Sequence, residues 1–249
     1  MENKKHKEER HVVIYGYTRE DLQKLMHHFE ASLPDYISLS FKTQGECTHV
    51  LLKGASHGVE LLRFNMNKYQ RTLADLFPNE LLALEDTTIS RILGNTLLDN
   101  ELTVSSAESC TGGLIAKRIT DVPGSASVFK GCVVSYHCEV KAGMLGVSQA
   151  LLDEKGAVCA EVAQQMAQGA RKVLSCDLAV SVTGVAGPDP DERGNLVGLV
   201  FTALAAPDGC WVKQLNLTSL AARRDRTRNL AANHALDMAR RWLAGLDPA

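Results

Sequence analysis

Residues 102–122 change hydrophobic period within a short span. LTVSSAES, from Leu102 to Ser109, starts as an apolar strand and ends in polar residues. CTGGLIAKRITDV follows at once, with helical spacing and two glycines, Gly112 and Gly113, in its opening turn. A strand that passes directly into a helix through glycines is a joint of α/β architecture. Such a turn lifts one side chain above the sheet edge and aims backbone N–H groups at the same point, where the helix N-terminus adds partial positive charge.

The flanking segments extend the pattern. TTISRILGNTLLDN before the joint reads as a helix; after it come a strand, FKGCVVSY, and a short helix, EVKAGMLG. AEVAQQMAQGARKVL is amphipathic, with Val162, Met166, Ala170 and Val173 near one face. CDLAVSVTG is an apolar strand, VGLVFTALAA and CWVKQLNL form a hairpin around Pro207, Asp208 and Gly209, and RDRTRNLAANHALDMARRWLAG closes as a helix. The expectation for residues 86–249 is a three-layer α/β/α domain with a mixed sheet. Ahead of it, HVVIYGY, DLQKLMHHFEAS, YISLSFKT, THVLLKGA and VELLRFNMNKYQRTLADLF predict a small α+β module over residues 11–80. Residues 1–10 read as a flexible tail, and PNELLALED as a linker or irregular joint.

The composition fits a globular, soluble, cytoplasmic protein: 45% of the 249 residues are hydrophobic and 22% charged. No run approaches the roughly 20 apolar residues that cross a bilayer, and the charged start is neither signal nor anchor. A net charge of -2 supplies no global field for a polyanion, so nucleic-acid binding is not expected. The seven cysteines are scattered through apolar segments without a CxxC pair, and read as reduced core residues rather than metal ligands. No metal or cofactor is expected.

Four features can carry chemistry. Ser109 stands where a strand-to-helix turn exposes a nucleophile, although capping is the commoner use of such a Ser109 or Thr111; Cys110 beside it is a rival nucleophile or a buried thiol. Tyr136 at a strand end and Lys141 five residues on would share the crevice at the sheet edge. There a desolvated lysine or a lysine-activated phenol would activate a serine; the bland reading is an interfacial Tyr and a solvated Lys. Thr183 and Gly184, in VTGVAGPD, could approach a ligand or simply form a turn. Finally, the cations of RRDRTR (Arg223–Arg228) oppose a helix dipole unless an anion, such as a ligand phosphate, lies near; a solvated charge run is the usual explanation.

AESCTGG, DVPGSASVF, SYHCEVK with MLGV, EKGAV and TGVAGPD, in this order and from about Thr87 onward, resemble the C-terminal domain of the CinA (competence/damage-inducible) family. Several stand-alone members are nicotinamide mononucleotide amidohydrolases. The resemblance implies that Ser109 is the nucleophile, that Tyr136 and Lys141 activate it, and that Thr111, Gly112, Gly113, Thr183, Gly184 and Arg224 bind a nucleotide substrate. A homo-oligomer is expected. The first module looks like the KH-like segment that precedes this domain in full-length CinA proteins, but KGASHG lacks the GxxG spacing that clamps a nucleotide backbone. Departures from the family pattern stand at Cys132, His137, Cys138, Asn195, Leu196, Ala222 and Arg223. They motivate an alternative: a weak or inactive member that binds a nucleotide or a protein partner.

Overall fold

The computed structural model describes residues 5–17, 19–44, 47–78, 80–218 and 223–249. The chain forms two compact units, Met1–Thr88 and Ile89–Ala249. The first comprises β1 (His6–Tyr15), α1 (Arg19–Leu25), α2 (His27–Ala31), β2 (Ile37–Gln44), β3 (Cys47–Ser56), α3 (Val59–Asp75) and β4 (Leu81–Ala83). Its sheet has the order β2-β3-β1-β4 and is antiparallel throughout. This is a ferredoxin-like β-α-β-β-α-β unit. Val12, Ile14, Val50 and Leu52 alternate onto one face and pack with Leu22, Met26, Leu62, Met66 and Leu73 from the helices.

Three local expectations change here. Residues 6–10 are not tail but the first half of β1, paired residue by residue with 52–56. Glu8 finds cationic partners there: it accepts from Arg63 of α3 and from Arg10, and those bonds together with His6 hold its carboxyl down at about 2. The segment expected to be a linker contains β4, which pairs with β1 at Val13 and Ile14. The single helix expected over 21–32 breaks at Met26 into α1 and α2. The KH-like reading rests on the resemblance alone; the connectivity seen is the ferredoxin-like one.

The second unit comprises α4 (Ile89–Asp99), β5 (Val104–Glu108), α5 (Leu114–Thr120), β6 (Phe129–Val134), α6 (Cys138–Leu145), α7 (Gln149–Lys155), α8 (Ala160–Val173), β7 (Leu178–Gly184), β8 (Leu199–Ala206), β9 (Gly209–Asn216) and α9 (Arg224–Leu243). The sheet order is β6-β5-β7-β8-β9. β5 lies parallel to both β6 and β7, and the β8–β9 hairpin adds antiparallel rungs, so the sheet is mixed as expected. Strand alternation assigns its two faces. Ala203 packs with Ala163 and Ala167 of α8, while neighbouring Thr202 points the other way and donates to Met238 Sδ of α9. Helices therefore cover both faces, α4 and α5 beside α9 and α6 beside α8.

Candidate active site

Because β5, β6 and β7 run parallel, their carboxyl ends meet at one edge, where ligands of open α/β sheets bind. The ladder continues one rung past the strands. Ser109 N–H donates to the Val182 carbonyl (3.0 Å), and Ser135 N–H to the Glu108 carbonyl (2.8 Å). Ser109 and Ser135 thus stand on neighbouring strand ends.

α6 brings Lys141 to these two serines. The side chain is wholly buried; its Nζ lies 2.9 Å from Ser109 Oγ and also donates to the Ser135 carbonyl. Burial lowers the Lys141 pKa below the ordinary lysine value, against the smaller opposing influence of Cys138 and Cys110. Burial pushes the Cys110 thiol the other way, up to about 11. The rival nucleophile is therefore a protonated thiol at neutral pH, and the hydroxyl beside it is the one in contact with the buried amine.

The turn after Ser109 has its own wiring. Gly112 and Gly113 have φ of 58° and 90°, a conformation that favours glycine. Their N–H groups, expected to face substrate, are already engaged: Gly112 donates to the Ser109 carbonyl (3.0 Å) and Gly113 to Glu108 Oε2 (2.9 Å). Glu108 is fully buried and also accepts from the N–H groups of Ile115 (3.1 Å) and Ala116 (2.9 Å). The protein's own carboxylate therefore fills the N-terminus of α5, where the sequence suggested a ligand. Arg228 of α9 grips the turn from outside, donating to the carbonyls of Cys110 (Nε, 3.0 Å) and Thr111 (Nη2, 2.6 Å). Among the described residues, the buried hydroxyls of Thr111 and Ser135 have no hydrogen-bond partner.

The other expected residues are placed differently. Tyr136 is well exposed, and its hydroxyl accepts from Arg224 Nη2 (3.1 Å). Among the described residues Lys141 bonds to Ser109 and Ser135, not to Tyr136. Arg224 also donates to the Gly187 carbonyl, which ties the start of α9 to the turn after β7. Thr183 is buried and donates to the Ala157 carbonyl (2.6 Å). Gly184 is small for a packing reason: a Cβ there would lie 2.7 Å from the Leu199 carbonyl oxygen on β8. Of the departures, His137 and Cys138 open α6, Asn195 folds back on Asp191 through two 2.8 Å bonds, Leu196 is exposed, and Arg223 pairs with Asp225 at 3.5 Å. Ala222 lies outside the described residues. Sequence reasoning gave no role to Glu108 or Ser135; Arg228 stood in the Arg223–Arg228 cluster, one helical turn after Arg224, but its grip on the Cys110 and Thr111 carbonyls was not foreseen.

Comparison with known proteins agrees with this architecture. The family model described as the CinA C-terminal domain matches residues 86–243. A putative competence-damage inducible protein of Acetivibrio thermocellus is 43% identical over 177 residues, 71% of this chain and 42% of its own length. A CinA-like protein of Syntrophomonas wolfei is 34% identical over 232 residues, 93% of this chain and 55% of its own. The chain thus spans about half the length of the relatives it matches. Among solved structures, the competence/damage inducible protein CihA from Agrobacterium tumefaciens superposes with a TM-score of 0.58 at 34% identity, covering 64% of this chain and 97% of that one.

Proposed function

This chain belongs to the CinA C-terminal domain family, and from that premise we propose that it is a serine amidohydrolase that deamidates a pyridine nucleotide, nicotinamide mononucleotide being the favoured substrate. One observation carries the reading: a wholly buried lysine amine with a lowered pKa lies 2.9 Å from a hydroxyl at the carboxyl edge of the sheet. Neutral Lys141 has a free lone pair, so the contact then runs from Ser109 O–H to Nζ. Ser109 Oγ attacks the carboxamide carbon while Lys141 takes its proton. The proton passes to the departing nitrogen, which leaves as ammonia. Water then cleaves the acyl–Ser109 ester, giving up one proton through Lys141 to Oγ and leaving the nicotinate nucleotide.

Tyr136 and Arg224 act together in this scheme. The phenol steadies the guanidinium, whose remaining N–H groups, with Arg223, suit the substrate phosphate. The test is ammonia release from nicotinamide mononucleotide by purified protein and by Ser109→Ala. Wild-type turnover lost in the variant supports the proposal. Equal rates remove Ser109 from the mechanism, and tight nucleotide binding without ammonia release replaces hydrolysis by a binding role.

A further inference from the structure

We propose that the N–H groups of Cys110 and Thr111 form the oxyanion hole and that Arg228 is the positioning residue that aims them; the inference rests on Ser109 being the nucleophile. Of the N–H groups nearest Ser109, those of Ser109, Gly112 and Gly113 all have acceptors. Among the described residues, the Thr111 N–H donates to none, and the Cys110 N–H meets only the thiol of its own residue. They are therefore the donors left to a reacting oxygen.

Arg228 determines where they point. In a trans peptide the C=O and N–H are directed oppositely. The peptide bearing the Cys110 carbonyl also bears the Thr111 N–H, so the bond from Arg228 Nε to that carbonyl drives the Thr111 N–H away from Arg228. The bond from Nη2 to the Thr111 carbonyl fixes the next peptide, whose Gly112 N–H holds the Ser109 carbonyl. That carbonyl shares its peptide with the Cys110 N–H, so both unspent donors are oriented from one guanidinium. Glycine at 112 fits the same design: its φ is 58°, and a Cβ would lie 3.4 Å from Arg228 Nη2. A lysine has one point of charge and cannot bridge two carbonyls in a fixed fork.

The reaction adds a second demand on this turn. As the carbonyl carbon becomes tetrahedral, its oxygen gains negative charge, and donors already held in place stabilise it without reorganising. An aiming residue should therefore affect turnover more than substrate binding.

The test uses the full chain and a fluorophosphonate, which phosphonylates an activated serine with loss of fluoride and leaves an oxyanion-like oxygen. In the wild-type protein, reaction at Ser109 should shift the Cys110 and Thr111 amide protons downfield; no movement of either overturns the hole. In Arg228→Lys, kcat for ammonia release should fall about 10²-fold with KM little changed, and labelling should slow by about tenfold or more. Arg228→Ala with added guanidinium should recover part of the loss. A thermal melt verifies that each variant is folded. A folded Arg228→Lys with wild-type kcat and labelling removes Arg228 from this role while leaving Ser109 in place. A wild-type protein that is not labelled at Ser109 overturns the nucleophile reading itself, and the oxyanion hole with it.

Discussion

Gly169 on α8 meets the Leu145 carbonyl at the end of α6 so closely that a Cβ at 169 would lie 2.0 Å from that oxygen. Backbone touches backbone there, and α6 is the helix that carries Lys141. Gly169→Ala must therefore push the helices apart. Overpacking of this kind costs about 1–3 kcal/mol. It should also draw Nζ away from Ser109 and lower turnover by about tenfold or more, since small misplacements near the chemistry are expensive. Urea melts and steady-state kinetics measure both; wild-type kcat in a destabilised variant would show that the base is held by other contacts.

Turnover should rise with pH. In the proposed mechanism the neutral amine is the base, and burial moves the Lys141 pKa below the ordinary value of about 10.4. The rate should climb through that lowered pKa and level off before the usual lysine range. Lys141→Met should cut kcat about 10²-fold or more and abolish the climb. A profile unchanged in shape in the variant would assign the titration to another group.

Stability should carry the same signature. Between the lowered folded pKa and the unfolded value of about 10.4, the unfolded chain binds the extra proton, so stability rises with pH across that window. Below the folded pKa both states are protonated and the slope vanishes. The stability of wild type relative to Lys141→Met should therefore grow with pH from the lowered folded pKa up to about 10. Denaturant melts of the two proteins at a series of pH values read the difference; a flat line contradicts a depressed lysine.

Tyr136 should couple energetically to Arg224 rather than to Lys141, because its hydroxyl accepts from Arg224 at 3.1 Å. In kcat/KM, Tyr136→Phe combined with Arg224→Met should be little worse than either single change. Combined with Lys141→Met, the losses should roughly multiply, as for sites that share no bond. The reverse pattern would restore the Tyr136–Lys141 pair expected from the family resemblance.

On α9, Asp237 and Arg240 form a buried pair at 2.7 Å. Burial raises the Asp237 pKa, and Arg240 opposes that rise. Asp237→Ala would strand a buried guanidinium and should cost about 3–5 kcal/mol. Replacing both, by Asp237→Leu and Arg240→Met, should recover most of that loss in a thermal or urea melt. A single variant as stable as wild type would mean that the pair is dispensable.

The parts of the fold legible in the sequence were those with a full period to display. α8 shows several turns of apolar spacing, and the β8–β9 hairpin has two long strands about a Pro-Asp-Gly turn. β4 has only three residues, too few for alternation, and its pairing with β1 is a tertiary event. The charged half of β1 looked like tail because its ion pairs reach Arg63, more than fifty residues away. In the site, a serine at a strand end announced itself through its glycines. The burial of Lys141 did not, because nothing in a single lysine distinguishes a solvated ammonium from a desolvated amine. Glu108 was equally silent, since its acceptor role depends on how the following turn folds back.

The rung that joins Ser135 to Glu108 turns the sheet into a gauge for the chemistry. Ser109 follows one strand and the Ser135 carbonyl that anchors Lys141 follows the next, so their separation is set by the interstrand repeat of about 4.8 Å. No loop length enters that spacing. Substitutions in the turns around Asn195 and Leu196 can therefore reshape what the edge admits while the spacing of Ser109 from the Ser135 carbonyl stays ruled by the ladder. If the proposed mechanism holds, substitutions in those turns should change which ligands the edge admits before they change the spacing set by three parallel strands.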